Sequence, residues 1–321
     1  MNINFVDKKN LFRFLDAAPS HIAEILKKPA PKFRGPKADS VCVFGMGGSA
    51  ISGLILQDIL GYYSQTGISV NNRERIHLRK DTLYIPVSYS GTTRETLNTL
   101  NSVRKGIVAG ISSKKDFTPE TFTVPGGLPP RFAFFYIFSA LIRVVSEHFD
   151  IKGMSGDLEE AVPRLKTFKE NLKKNDSQAH LIADSLGGKP VLIYAPSCLR
   201  HTAYRWKTQF NENSKTHAFS NFFPELTHNE IVPYINGEDL FSVIVLRSKF
   251  ETDAEKLQMD FFSERADFNI DITAGNILQE VLKYVLLGDF ISYYLAVRKG
   301  IDPYPIEMID SLKRRLSENG H

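Results

Sequence analysis

The sequence has little of what would place it in several common classes of protein. Its 321 residues include only two cysteines, Cys42 and Cys198, which excludes a disulfide framework and fits a reducing compartment. No apolar run approaches the roughly 20 residues that a membrane span needs, and the first residues lack the apolar core of a secretory signal. The net charge is only +4, which gives no reason to expect nucleic acid as a partner. We therefore expect a cytoplasmic protein that binds neither a membrane nor nucleic acid.

The motifs of metal sites and of nucleotide hydrolysis are also missing. The eight histidines do not form a His-x-x-x-His or His-Glu-x-x-His pattern, and the two cysteines do not have the spacing of a zinc site. We expect no metal. No Gly-Lys-Ser/Thr follows a glycine-rich turn, so a Walker loop is excluded.

A glycine-rich turn at residues 45–48 stands between an apolar strand and an apolar, helix-compatible stretch. Glycines let the backbone approach a ligand closely, and a helix start offers unpaired N–H groups at the positive end of its dipole. Such a turn binds anions, most often phosphate, and we predict Gly47, Gly48 and Ser49 as its ligands. Two other interpretations remain open. A dinucleotide fingerprint would need an acidic residue roughly 20 positions on, at the end of the next strand, and the nearest acidic residue there, Glu74, lies late for that role. A turn that needs glycine only for packing would bind nothing.

A second turn, at residues 88–93, carries more hydroxyl groups than a helix cap requires. In a parallel sheet, both turns would lie at the carboxyl ends of their strands, where such sheets bind ligands. The two turns could then close on one phosphate from two sides. We predict Ser88, Ser90 and Thr93 as further phosphate ligands.

Strands and helices alternate along both halves of the chain, which predicts right-handed crossovers and two α/β units with parallel sheets. The apolar helices at 132–145 and 277–297 are too hydrophobic to leave one face in water, so we expect them to support a two-fold dimer. The predicted strands lie near residues 40–45, 67–71, 83–87, 106–111, 121–124, 191–195, 240–247 and 268–272. Further helices are predicted near residues 50–61, 92–104, 151–188, 197–210, 250–264 and 305–316.

Six motifs in order resemble one known family. They are GMGGSAISG at 45–53, SYSGTT at 88–93, GGLPPR at 126–131, QFNENSK at 209–215, PELTHNE at 224–230 and DPYPIEMIDSLK at 302–313. Together they resemble the bifunctional phosphoglucose/phosphomannose isomerase group of the sugar isomerase (SIS) domain superfamily. The resemblance implies two three-layer α/β/α subdomains of SIS type, at 1–152 and 153–321, the second ending in a terminal helix. It also implies interconversion of glucose 6-phosphate, and of mannose 6-phosphate, with fructose 6-phosphate. No cofactor is expected, because the isomerisation is redox-neutral.

The same resemblance implies four catalytic residues. Glu212 would be the base that moves a proton through an enediolate, although sequence alone favours a solvated helix-end glutamate. Arg131 would stabilise the negative oxygen of the enediolate. His228, contributed by the partner subunit of a homodimer, would open the sugar ring together with Lys313.

Two alternatives to the enzyme are consistent with an SIS-type fold. An SIS-type regulator would bind a phosphosugar without catalysis, but such proteins usually carry a DNA-binding helix-turn-helix, for which the segment before the first strand is short. A regulator would also have no need for Glu212, His228 and Arg131 together. The isomerase half of an amidotransferase would be joined to a glutaminase domain, which the sequence does not show. The enzyme is therefore the favoured interpretation.

Overall fold

The computed structural model describes residues 3–29, 37–73, 76–103, 107–235 and 240–318. The strands are β1 Ser40–Phe44, β2 Gly67–Asn71, β3 Thr82–Ser88, β4 Ile107–Val108, β5 Gly110–Ser112, β6 Thr121–Thr123, β7 Val191–Ala195, β8 Ala218–Phe222, β9 Ser242–Arg247 and β10 Phe268–Asp271. The helices are α1 Ile3–Val6, α2 Phe12–Asp16, α3 Ala18–Leu26, α4 Gly48–Ile59, α5 Arg94–Val103, α6 Phe134–Phe149, α7 Lys152–Leu172, α8 Gln178–Ser185, α9 Arg200–Gln209, α10 Ile231–Ile235, α11 Asp253–Ser263, α12 Ile277–Arg298 and α13 Glu307–Glu318.

The strands form two sheets in which every described pairing is parallel. The first has the order β2-β1-β3-β5-β6, with β4 also paired to β3, and the second has the order β10-β9-β7-β8. Parallel neighbours need crossover connections, which the intervening helices supply. The predicted α/β class with two parallel sheets is confirmed. Residue 106, the first of the fourth predicted strand, lies outside the described residues, and the division at 152/153 stays a prediction.

The two apolar helices predicted to support a dimer are covered within the chain itself. The apolar side chains of α12 are all buried, as are those of α6 except Phe149, and α12 packs against α7, α8 and α9. One hydrophobic cluster runs from Val43 of β1 through Leu286 of α12 to Ile193 of β7. The expectation that these helices supply a subunit interface was therefore wrong, and a dimer would need another surface.

Two local features near residue 215 differ from the prediction. Strand β8 was missed because it is an edge strand whose residues alternate weakly: Phe219 is exposed, while Ala218 is its one buried residue. The helix predicted over 197–210 begins with a 3-10 turn at Ser197–Leu199, and after α9 it continues as a π-helix, Phe210–Ser214.

Within the described part of the chain, none of the helices has both the length and the apolar content needed to span a membrane.

Glu280, in the first turn of α12, is fully buried, and neither of its carboxylate oxygens has a hydrogen-bond partner among the described residues. Burial raises its pKa to about 7, and the nearby Ser248 and Lys249 offset that rise only in part. Between about pH 4.5 and pH 7, Glu280 therefore stays protonated in the folded protein, whereas it is ionised in the unfolded chain. Stability should fall as the pH rises through this window.

Replacement of Glu280 by glutamine, which stays neutral, is expected to remove this pH dependence. At pH 8 the variant should exceed the wild type in free energy of unfolding by about 3 kcal/mol. Near pH 4.5 the ionisation of Glu280 contributes little to the difference between the two proteins. Urea denaturation at both pH values measures the difference. Glu264→Gln, at an exposed position, is the control and should change neither value. An equal gain at both pH values would contradict the explanation.

Candidate active site

The first predicted phosphate turn joins β1 to the N-terminus of α4. Gly47 precedes the helix with φ +52° and ψ −125°, a backbone conformation that residues other than glycine rarely adopt. A Cβ atom at Gly45 would lie 2.5 Å from the carbonyl oxygen of Val87, so only glycine lets the ends of β1 and β3 approach this closely. Glycine at 47 and 48 therefore leaves the start of α4 without a bulky side chain, although the N–H groups of Ser49 and Ala50 already donate to the carbonyl oxygens of Met46 and Gly47.

The second predicted turn lies directly beside the first. The Tyr89 N–H donates to Ser49 Oγ across 3.3 Å, which links the two turns. Ser88 is fully buried, and its hydroxyl donates to Thr93 Oγ1 at 3.1 Å. Ser90 is exposed and accepts a hydrogen bond from the Thr92 hydroxyl at 3.0 Å. Ser88 is thus placed to orient Thr93 rather than to reach a ligand directly, while the phosphate contacts themselves stay predictions.

A third segment, the turn before α6, connects these loops to Arg131. A Cβ at Gly48 would lie 3.4 Å from the carbonyl oxygen of Pro130, so the start of α4 packs against this turn. Arg131 is only 5% exposed, and its guanidinium Nη2 donates to the carbonyl oxygens of Pro303 and Tyr304, each at 2.9 Å. Burial lowers the pKa of Arg131, and the Glu212 carboxylate opposes that shift. The structure therefore holds a charged guanidinium in a fixed orientation next to the predicted phosphate turns.

Glu212 lies in the π-helix that follows α9, and its carboxylate faces Arg131. Arg131 Nη1 and Glu212 Oε2 are 3.8 Å apart, and the Glu212 side chain is 29% exposed. A π-helical turn within an α-helix is rare and is frequent at functional sites, because it changes the direction in which its side chains point. Glu212 is therefore not the fully solvated surface residue that sequence alone favoured.

Asn213 was not singled out from the sequence, although it stands in the motif with Glu212. It is fully buried, its Oδ1 accepts a hydrogen bond from Arg131 Nε at 2.9 Å, and its Nδ2 donates to Ser292 Oγ at 3.0 Å. Asn213 thus fixes both the guanidinium of Arg131 and the segment that carries Glu212. The repeated asparagines around Glu212 were the available signal.

A buried ion pair supports this arrangement from below. Arg205 Nη2 donates to the two carboxylate oxygens of Asp289 at 3.0 and 2.9 Å and to the Arg131 carbonyl oxygen at 3.1 Å. Gln209 Nε2 donates to the same carboxylate at 2.8 Å. Burial raises the pKa of Asp289, and Arg205 counteracts that rise. The pair joins α9 to α12 next to the backbone of Arg131. No sequence motif predicted it.

His228 and Lys313 are not brought together with Glu212 and Arg131 by side-chain contacts. His228 is exposed at the end of the 3-10 turn Glu225–His228, and Lys313 is exposed on α13. Neither side chain makes a hydrogen bond or ion pair with another residue that the structure describes. Asp310, one turn before Lys313, is near enough to Arg131 to counteract the fall in its pKa, so the start of α13 faces the site. Over the described ranges, no three histidine, cysteine or acidic side chains form a group able to hold a metal ion.

Two adjoining strand-end turns, a buried arginine and a facing carboxylate thus lie on a fold of two parallel α/β units. The C-terminal domain of glucosamine-fructose-6-phosphate aminotransferase from Francisella tularensis has the same fold, with a TM-score of 0.73 over 91% of this chain and 97% of that chain at 15% identity. Residues 175–316 match the model of the bacterial phospho-glucose isomerase C-terminal SIS domain. The chain therefore has the fold of the SIS proteins.

Similarity in sequence identifies the family. The bifunctional phosphoglucose/phosphomannose isomerase of Thermoplasma volcanium is 32% identical over 302 residues, covering 89% of this chain and 94% of that protein. The protein of the same name from Caldicellulosiruptor bescii is 31% identical and covers 92% and 94% of the two chains. The chain belongs to the family of bifunctional phosphoglucose/phosphomannose isomerases.

Proposed function

We propose that the protein is an aldose–ketose isomerase that interconverts glucose 6-phosphate and fructose 6-phosphate, and also mannose 6-phosphate and fructose 6-phosphate. The observation that carries the proposal is the 3.8 Å pairing of Arg131 with Glu212 beside two strand-end turns suited to phosphate. This combination holds an anionic group and offers a base and a fixed positive charge at one place. The names of the relatives support the same reaction.

The chemistry follows from these groups. Glu212 removes a proton from the carbon next to the carbonyl group and returns it to the neighbouring carbon through an enediolate. Arg131 stabilises the negative oxygen, and its three hydrogen bonds to Asn213, Pro303 and Tyr304 keep it in place without reorganisation. Because the enediolate is planar, carbon 2 can regain its proton on either face, which accounts for both glucose and mannose products. The ring is opened beforehand by His228 and Lys313.

The proposal is tested by incubating the purified, EDTA-treated protein with fructose 6-phosphate and identifying the sugars formed. Formation of both glucose 6-phosphate and mannose 6-phosphate is expected without added metal. A non-catalytic phosphosugar-binding regulator would bind fructose 6-phosphate, as calorimetry can show, and leave it unchanged. That result would replace the proposal.

The phosphate turns give a separate prediction. Ser49→Ala and Thr93→Ala should each raise KM for fructose 6-phosphate by about fivefold to tenfold and leave kcat nearly unchanged, because each removes a hydrogen bond made throughout the reaction. Ser102→Ala, at an exposed position on α5, is the matched control and should change neither constant. Steady-state kinetics measures the effect. Equal use of unphosphorylated fructose by the wild type would contradict the assignment.

We further propose a cytoplasmic homodimer in which each site takes His228 from the partner subunit. His228 is exposed and has no side-chain partner within the described part of the chain, which supports this, because a ring-opening histidine must be free to reach a substrate. The apolar side of α13 supplies a surface for a second copy: Met308, Ile309, Leu312 and Leu316 are 83%, 40%, 57% and 43% exposed. Unpaired apolar surface of this kind marks an interaction site.

Mixed dimers test the shared site. When Glu212→Ala and His228→Ala chains exchange subunits, one of the two sites in each heterodimer should regain both residues, and activity should rise well above that of either parent. Tagged subunits show whether exchange has taken place. Inactive heterodimers after proven exchange would mean that each site is built within one chain.

A further inference from the structure

Lys215 lies three residues after Glu212, and its ammonium group is surrounded by carbonyl oxygens. Its Nζ is 2.8 Å from the carbonyl oxygen of Glu212, 3.1 Å from that of Asp302 and 3.4 Å from that of Pro303. The residue has φ +49°, in the left-handed region, where it ends the π-helix. A lysine there can fold its side chain back to reach both the π-helix and residues 302–303.

Lys215 binds the segment 302–304, which lies in the connection between α12 and α13 and is here called the strap. Arg131 donates to the Pro303 and Tyr304 carbonyl oxygens of the same strap. Two cations therefore bind the strap next to each other, and their hydrogen bonds to its carbonyls are charge-assisted. One of the two, Arg131, already faces the Glu212 carboxylate.

The apolar side chains of α13 do little to anchor it within its own chain. Its apolar side chains Met308 and Leu312 are more than half exposed, so apolar packing against its own chain contributes little. Because the strap leads directly into α13, the way it is held contributes to the position of α13 and of the predicted ring-opening residue Lys313 on it.

We propose that Lys215 is a positioning residue of the isomerase, whose ammonium group ties the backbone of Glu212 to the strap and so holds Lys313 near the site. The inference rests on the proposed function, which supplies the roles of Glu212 and Lys313. Among the described residues, the Lys215 ammonium group donates to backbone carbonyl oxygens and not to the phosphate turns.

The charges around Lys215 make its binding to the strap depend on pH. Burial, and then the nearby charge of Arg131, lower the pKa of Lys215 to about 8, while Asp302, Glu212 and Glu307 act in the opposite direction. Above this pH the ammonium loses its charge, and its hydrogen bonds to the carbonyls weaken. Turnover should therefore decline as the pH rises through about 8.

Two substitutions separate this role from a general effect on structure. Lys215→Met removes the charge, and kcat should fall by about tenfold, the scale of a lost charge-assisted hydrogen bond. Lys215→Arg keeps a charge at all relevant pH values and should restore much of the activity, moving the alkaline decline above pH 9. Lys299→Met is the matched control: its Nζ bonds to the Thr216 hydroxyl at 2.9 Å, and burial also lowers its pKa. It should retain the wild-type pH profile.

Hydrogen exchange at pH 7 gives a measurement that does not require enzyme activity and does not depend on whether an arginine side chain can be accommodated at position 215. Amides of α13 should exchange about tenfold faster or more in Lys215→Met, while those of α12 and all those of Lys299→Met keep wild-type rates. Unchanged exchange of α13 in Lys215→Met, or an equal rise in Lys299→Met, would overturn the inference. So would an alkaline decline at the same pH in Lys215→Arg with wild-type α13 exchange. A failed isomerase assignment would show instead as an inactive wild type.

Discussion

Replacement of Glu212 by glutamine is expected to lower turnover by at least about a hundredfold, the usual contribution of a positioned general base. Glutamine keeps the size of the side chain and can still lie beside Arg131, but it cannot accept a proton from carbon. Binding of fructose 6-phosphate should survive, because the turns around Ser49 and Thr93 are untouched. In deuterated water, exchange at carbon 2 should accompany isomerisation in the wild type, and both should disappear together in the variant.

The control for this experiment is Glu225→Gln, which changes an exposed carboxylate in the turn that carries His228. It should retain most of the wild-type turnover and exchange. If Glu212→Gln exchanged the proton at nearly the wild-type rate, Glu212 would not be the base. Glu225 and Glu230 would then be tested, although the Glu230 carboxylate already accepts a hydrogen bond from Asn221 Nδ2.

Replacement of Asp289 by asparagine is expected to cost about 3–5 kcal/mol in free energy of unfolding, because it leaves the Arg205 guanidinium buried without its charge partner. Both side chains of the pair are only 2% exposed, so solvent cannot replace the lost carboxylate. Urea denaturation at neutral pH measures the loss. Since Arg205 also donates to the Arg131 carbonyl, kcat should fall in the fraction that remains folded.

A surface ion pair in the same chain provides the comparison. Asp184 and Arg298 are also within ion-pair distance, but their side chains are 45% and 49% exposed. Asp184→Asn should therefore cost less than about 1 kcal/mol. Similar losses from the two substitutions would show that burial does not set the strength of the Arg205–Asp289 pair.

The parts of the molecule that could be predicted are those whose cause is local. The turn around Gly47 is visible in the sequence because a positive φ at a helix start requires glycine, and the hydroxyl groups around Ser90 and Thr93 mark a strand-end loop. Buried parallel strands such as β1 and β7 appear as short apolar runs, and they were predicted within one or two residues.

The parts that could not be predicted depend on residues far apart in the chain. The direction of Glu212 depends on a π-helix, which the pairing of Asn213 with Ser292 helps to hold, and those residues are 79 positions apart. The apolar content of α12 predicted burial correctly but did not identify what would cover it. Packing within the chain was the answer, where a second subunit had been expected.

The burial of α12 has a consequence for how the two halves of the molecule can vary. Its apolar surface belongs to one continuous cluster that includes strands of both sheets, such as β1 and β7. Exchange of either half for an unrelated unit would therefore expose a large apolar face, unless the new unit matched that face in shape. Changes in substrate preference are then more easily accommodated in surface loops than in this shared core.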